Sequence, residues 1–357
     1  MMVQAGRLDF EGQFAHTAHT AHAAHAAYAT HAVRFVWLLV ATALLIGCQS
    51  VELPPTPDNS SALSRFLGQS RAPGFEEGVY AGGDGSELGF KGYLADQQDD
   101  RVALVYFHGI ESHAGWFDQA ARLLQRRGLD IFCLDRRGSG INRENRGLPS
   151  GHTDSKELLF ADIDAFVQPL KAHYQRIVLV GLSWGGKLAT AYELEQPGNA
   201  AGLVLITPGI RALVDAPVST KLQILLASFF SPMSQFPTPI EPEMFTTTPR
   251  YLDYIQDDPL RLTEASASFF MVSRELDGYV EKNIADNRAP VLLFLAGKDR
   301  IIDNPGVVDV LERGGQDSLE IVEYSDQTHS IQFDAPARMV DDMIGWLDSH
   351  IITARGS

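Results

Sequence analysis

Residues 176–186 read RIVLVGLSWGG, a short β-branched run that ends in Gly181-Leu182-Ser183-Trp184-Gly185. The run up to Val180 shows no polar alternation, the pattern of a strand buried on both faces. From Trp184 to about residue 196 the apolar positions are spaced as in a helix. A G-x-S-x-G between a strand and a helix holds its serine on a sharp turn with the hydroxyl exposed, and the flanking glycines leave room for that turn. Ser183 is therefore the candidate nucleophile, at a helix N-terminus that favours developing negative charge. A small-residue turn with a capping serine is the plainer alternative.

Outward from this stretch, apolar runs bounded by turn residues recur at 101–107 (RVALVYF), 130–135 (DIFCLD), 202–207 (GLVLIT), 291–296 (VLLFLA) and 319–324 (LEIVEY). Helical patterns lie between them at about 114–127, 156–173, 184–196, 305–314 and 335–350. This alternation predicts an α/β fold, an open, doubly wound, mostly parallel sheet whose strands are buried on both faces. Residues 76–95 predict an antiparallel opening hairpin, and Cys133 a buried core thiol. Residues 208–289 interrupt the rhythm between two late strands. Open sheets bind ligands at the carboxyl ends of their strands, so an insertion there predicts a helical lid.

A serine hydroxyl attacks a carbonyl only with a base in reach and a carboxylate to orient that base. VLLFLA ends in Gly297-Lys298-Asp299, and His329 follows LEIVEY in Gln327-Thr328-His329-Ser330. The order Ser183, Asp299, His329 is that of α/β-hydrolases and differs from those of chymotrypsin and subtilisin. Asp303, four residues on, is expected to cap a helix or face solvent. His152, His173 and His350 are expected in surface or capping roles, and His108 as a loop brace.

Composition bounds the partners. The 357 residues carry 29 Lys+Arg against 45 Asp+Glu, a net charge of -16 that repels phosphate backbones, so nucleic acid is excluded as a main partner. Two cysteines, Cys48 and Cys133, make no disulfide framework. No metal or organic cofactor is implied. Leu222 to Ile240 contains no charge, and Leu222, Ile224, Leu225, Leu226, Phe229, Phe230, Met233 and Phe236, with Phe269, Phe270 and Met271, give the lid a greasy surface suited to an acyl chain. More than half of these side chains are expected to pack the lid onto the core.

The first 47 residues read as a separate unit. His16, His19, His22, His25 and His31 punctuate an alanine-rich tail, read as low complexity or as a metal-binding tract. Arg34 then precedes thirteen uncharged residues, Phe35 to Gly47, too short to span a bilayer but suited to a signal-peptide core. Leu45-Ile46-Gly47-Cys48 resembles a bacterial lipobox, which implies diacylglyceryl transfer to Cys48. The resemblance implies a chain anchored to a bacterial membrane in the cell envelope, with Gln49 pointing to the outer membrane and its periplasmic face. Residues 48–75, with Pro54, Pro55, Pro57 and several serines, read as a tether, 76–350 as the folded domain and 351–357 as a tail.

From about residue 76 to 350 the chain resembles the monoacylglycerol lipase and lysophospholipase-like, or serine aminopeptidase-like, branch of the α/β-hydrolases. The residues that carry the resemblance are His108-Gly109 followed by His113, Asp135 to Gly140, Gly181 to Gly185, Asp258-Pro259-Leu260, Asp299 and His329. It departs where the family's usual glycine, tyrosine and histidine are Glu111, Phe117 and Ser139. The resemblance implies Ser183, Asp299 and His329 as catalytic triad, the backbone amides of Ile110 and Trp184 as oxyanion donors, and monoacylglycerols or lysophospholipids as substrates. A peptidase, an acyltransferase, a polyester hydrolase or a lipid-binding lipoprotein without turnover remain as alternatives. Glu241, Glu243 and Glu275 are the carboxylates that could grip a free amine.

Overall fold

The computed structural model of the chain describes residues 74–96, 102–143, 150–314 and 319–352. The histidine-rich tail, the lipobox with Cys48, the tether as far as residue 73 and the tail from residue 353 lie outside the described residues.

The sheet opens with the antiparallel pair β1 (Gly74–Ala81) and β2 (Glu87–Leu94), in which Phe75 faces Tyr93 and Tyr80 faces Leu88. Strand β2 runs antiparallel to β4 (Asp130–Leu134), and every later pairing in this sheet is parallel. The eight strands stand in the order β1-β2-β4-β3-β5-β6-β9-β10, with β3 Val102–Phe107, β5 Arg176–Leu182, β6 Gly202–Ile206, β9 Val291–Ala296 and β10 Leu319–Tyr324. Each apolar run therefore forms its strand, and β3, β4, β6 and β9 are buried at every position because helices cover both faces. Strand β10 departs from that expectation. It closes the sheet as an edge strand, and Ile321 is 41% exposed.

The flanking helices are α1 (Asp118–Arg126), α2 (Lys156–Leu170), α3 (Trp184–Glu195), α7 (Asn304–Glu312) and α8 (Pro336–Trp346). Two clusters of buried side chains sit on opposite faces of the sheet. One gathers Phe90, Phe132, Phe166 and Leu179, the other Tyr106, Phe117, Val180 and Phe294. The thiol of Cys133 is in the second, fully buried.

Between β6 and β9 the chain leaves the sheet and builds helices α4 (Val218–Phe230), α5 (Pro249–Asp257) and α6 (Ala267–Asn283) with a small ribbon, β7 (Gln235–Pro237) against β8 (Glu264–Ser266). Ser266 begins α6 by accepting the Phe269 amide at its hydroxyl.

Candidate active site

Ser183 lies between β5 and α3 with φ 53° and ψ −122°. With Thr207 it is one of two non-glycine residues at positive φ among the described residues. The turn closes because its neighbours lack side chains. A Cβ at Gly185 would lie 2.1 Å from the Phe107 carbonyl oxygen, and one at Gly181 would lie 2.5 Å from the Gly185 oxygen. A strained serine costs on the order of 1–3 kcal/mol and persists only where its surroundings fix it. Here the Ser183 N–H donates to the Ile206 carbonyl at 2.9 Å, and its own carbonyl accepts the Gly209 amide at 2.6 Å and the Gly186 amide at 2.9 Å.

Two and three strands further along the sheet, Asp299 follows β9 and His329 follows β10. Asp299 Oδ2 stands 2.9 Å from His329 Nδ1, and both side chains are fully buried. Its other oxygen accepts the Ile301 and Ile302 amides at 2.8 and 3.0 Å. The carboxylate selects the imidazole tautomer that carries its proton on Nδ1, leaving Nε2 as a lone pair. Nε2 is buried and has no hydrogen-bond partner, so the structure joins Asp299 to His329 but forms no bond from His329 to Ser183. Thr207, at the end of β6, donates its hydroxyl to the His329 carbonyl at 3.1 Å. Asp303 caps α7, accepting the Gly306 amide at 3.3 Å.

The loop after β3, His108 to His113, reaches the nucleophile from the other side. A Cβ on Gly109 would lie 3.3 Å from Ser183 Cβ. Among the described residues the amides of Ile110 and Trp184 donate to no protein acceptor. His108 braces the loop, donating from Nδ1 to the Gly109 carbonyl at 2.8 Å and accepting the Arg136 amide at Nε2 at 3.2 Å. Burial, reinforced by the Arg136 cation, holds its pKa well below the ordinary histidine value and keeps the ring neutral. The Arg136 guanidinium donates to the carbonyls of Gly109 and Ile110 at 2.9 and 2.7 Å.

The insertion is bonded to this loop. His113 Nε2 and the Trp116 indole N–H meet Asp258 Oδ2 at 2.9 and 2.6 Å. Burial opposes ionisation of Asp258, but these bonds outweigh it and hold its carboxyl below the usual range. Glu111, where the family pattern has glycine, is buried in an ion pair with Arg261 at 2.7 Å and accepts the Thr238 hydroxyl. Phe117 stacks on Tyr106 with ring centroids 4.0 Å apart. From the nucleophile helix, Lys187 Nζ reaches Asp277 at 2.6 Å and Ser273 Oγ at 2.9 Å, and that hydroxyl also accepts the Trp184 indole N–H at 3.0 Å.

Two expectations change here. The apolar side chains of α4 do not mainly pack onto the core: Ile224 is buried, but Leu222, Leu225, Leu226, Phe229 and Phe230 are exposed, the last at 85%. The helix rests on the rest of the domain through one narrow stripe. His152 is buried rather than superficial, between Ser266 Oγ at 2.9 Å and Asp154. Of the carboxylates that could hold an amine, Glu241 and Glu243 are exposed, and Glu275 pairs with Lys156 at 3.1 Å.

Arg136, Thr207 and Lys187 escaped the sequence reading. A buried cation inside a motif and a threonine following an apolar strand carry no spacing signal. Only the second arginine of Asp135-Arg136-Arg137 has an ordinary explanation, an ion pair with Asp162 at 2.6 Å.

Residues 98–336 match the family described as serine aminopeptidase, S33. Human monoglyceride lipase is 23% identical over 248 residues, 66% of this chain and 77% of the human protein. Monoacylglycerol lipase of Mycolicibacterium smegmatis is 24% identical over 291 residues, 77% of this chain and 98% of that protein. Among solved structures, a monoacylglycerol lipase of Paleococcus ferrophilus superposes with a TM-score of 0.66 at 22% identity, covering 74% of this chain and 99% of that one. A soluble variant of the Saccharomyces cerevisiae monoglyceride lipase, in complex with a substrate analog, gives 0.66 at 22% identity, covering 79% and 96%. With its mostly parallel sheet and strained serine between β5 and α3, the chain belongs to the serine aminopeptidase S33 family and is a serine ester hydrolase of the α/β-hydrolase fold.

Proposed function

We propose that this chain hydrolyses acyl esters of lipids, monoacylglycerols or lysophospholipids, through Ser183, His329 and Asp299. The observation that carries the reading is the buried Asp299–His329 pair, whose unpartnered Nε2 belongs to the same strand-end edge as the strained Ser183.

His329 Nε2 takes the Ser183 proton as Oγ attacks the ester carbonyl. Asp299 holds the imidazolium that forms. The free amides of Ile110 and Trp184 receive the oxyanion, which collapses to an acyl-serine as the proton passes from His329 to the leaving alcohol. Water, deprotonated by the same nitrogen, then releases the acid and restores Ser183. The acyl chain is taken by the apolar residues of the insertion, with about 0.8 kcal/mol for each CH₂ it buries. In this reading α4 serves as a lid, and its exposed apolar face suits a substrate drawn from lipid.

We infer from residues 34–48 a signal sequence and a lipid anchor on Cys48 that hold the enzyme on a bacterial envelope membrane. The test is the initial rate of the full chain on a monoacylglycerol and a lysophospholipid with one acyl chain in common, with the Ser183→Ala rate subtracted. A preference for either names the head group. No Ser183-dependent rate on either, together with turnover of a peptide, would overturn the lipid reading.

A further inference from the structure

Arg136 is buried, yet among the described residues it has no carboxylate partner. Its neighbour Arg137 shows what a buried arginine ordinarily does, reaching both oxygens of Asp162 at 2.7 and 2.6 Å. Arg136 spends its fork on two consecutive carbonyls instead, Nη1 on Gly109 at 2.9 Å and Nη2 on Ile110 at 2.7 Å. Its guanidinium lies 4.9 Å from the Trp184 ring centroid and 5.1 Å from that of Phe269. The backbone N–H of Arg136 also fixes the ring of His108, which donates to the same Gly109 oxygen. Burial pushes the guanidinium pKa down to about 9, so the group is still a cation at neutral pH.

A peptide unit is planar, so whatever holds the Gly109 carbonyl also aims the Ile110 N–H, which points the opposite way within the same plane. Holding the Ile110 carbonyl as well fixes the next plane and leaves the Ile110 backbone no freedom to turn. A cation bonded to a carbonyl also withdraws electron density from the amide and makes its N–H a better donor. The Asp135 charge offsets only part of the burial, and keeping this cation buried without a hydrogen-bonded anion is costly in the ground state. That cost is recovered as negative charge develops beyond the amide.

We propose that Arg136 is the positioning residue of the oxyanion hole: its fork aims and polarises the Ile110 amide, while its face packs against Trp184, the residue that supplies the second donor. The proposal rests on the ester-hydrolase reading of Ser183, Ile110 and Trp184 above. Because the oxyanion exists only in the transition state, Arg136 acts on kcat and leaves substrate binding nearly alone.

The test uses the full chain with Arg136→Met, which keeps a long apolar stem without the fork, and Arg136→Lys, which keeps the charge. Rates on a short-chain nitrophenyl ester are compared with the inhibition constant of an alkyl trifluoromethyl ketone, which forms a tetrahedral oxyanion on the nucleophilic serine. For Arg136→Met the expected result is a fall in kcat of about a hundredfold, KM within threefold of wild type, and a ketone inhibition constant raised by the factor lost from kcat/KM. Arg136→Lys, able to hold one carbonyl, recovers about tenfold of that loss. Should Arg136→Met not fold, Arg136→Lys decides alone, with a fall in kcat of about tenfold and a matching rise in the ketone constant expected. Unchanged kcat and ketone affinity, or a change in KM alone, overturns the proposal. A wild-type chain without Ser183-dependent ester turnover would instead overturn the reading beneath it.

Discussion

The hydroxyl of Thr207 donates to the carbonyl oxygen of His329 at 3.1 Å, tying the end of β6 to the loop that follows β10. Thr207 holds this position at φ 41°, a conformation that a β-branched residue rarely adopts. Its backbone N–H is fixed by the Phe294 carbonyl at 2.9 Å, so the hydroxyl is set from the sheet itself. Thr207→Val removes the bond and keeps the shape. It is expected to lower kcat by about tenfold, the effect of a loosened base, while Thr207→Ser retains most of the rate. Equal kcat in wild type and Thr207→Val would contradict this role.

Two nearby carboxylates separate by function. Asp299→Asn leaves His329 without its orienting anion and is expected to cost about 10³- to 10⁴-fold in kcat. Asp303→Asn keeps a capping side chain on α7 and is expected to stay within twofold of wild type, with a stability loss below about 1 kcal/mol. Ester kinetics beside thermal unfolding of both variants checks the pair, and comparable activity in the two would undo the assignment of Asp299.

At Ile110 the backbone is the working part. Ile110→Ala leaves the amide in place and is expected to keep much of the turnover. Ile110→Pro deletes the donor and is expected to cost at least about a hundredfold. Matching activities in the two variants would remove Ile110 from the oxyanion site.

His108 makes the fold acid-sensitive. Its folded pKa is held well below the ordinary 6.5 by burial and by Arg136, so as pH falls through 6.5 the unfolded chain takes up the proton first. Stability on this account is fully present above pH 6.5 and declines below it, by up to about 1.4 kcal/mol per pH unit. Denaturant unfolding between pH 7 and pH 5 is expected to show that slope in wild type and a flatter one in His108→Asn. Parallel slopes would refute it.

The anchor has its own test. Cys48→Ser is expected to move the protein from the membrane fraction of a bacterial host to the soluble one, because several acyl chains are lost at about 0.8 kcal/mol per buried CH₂. Undiminished membrane association of this variant would rule out a thioether lipid at Cys48.

The parts legible in the sequence are those set by neighbours along the chain. VLLFLA and RIVLV declare buried strands because every side chain must be apolar there, and Gly181 and Gly185 declare a turn because the backbone approaches too closely for a Cβ. Asp299 and His329 could be read because each immediately follows such a strand. The composition of LEIVEY does not foretell its exposure, since edge position depends on which strand comes last in the sheet order. Distant pairings left no trace. His113 meets Asp258 across 145 positions and Glu111 meets Arg261 across 150, and nothing in either segment announces its partner. Arg136 was hidden for a different reason, because its partners are carbonyls, which every residue possesses.

The insertion also bears on how the fold can change. Strands β6 and β9 are hydrogen-bonded neighbours, although residues 207–290 lie between them. Closing a loop of that length costs only about 2 kcal/mol more entropy than closing one of about ten residues, because the cost grows with the logarithm of length. The length of that interval is therefore a small cost to the sheet, and its side-chain bonds to Glu111, His113 and Lys187 are what couple it to the site. A change there acts through contact rather than chain length, because Thr207 and Gly209 at its start hold the His329 and Ser183 carbonyls.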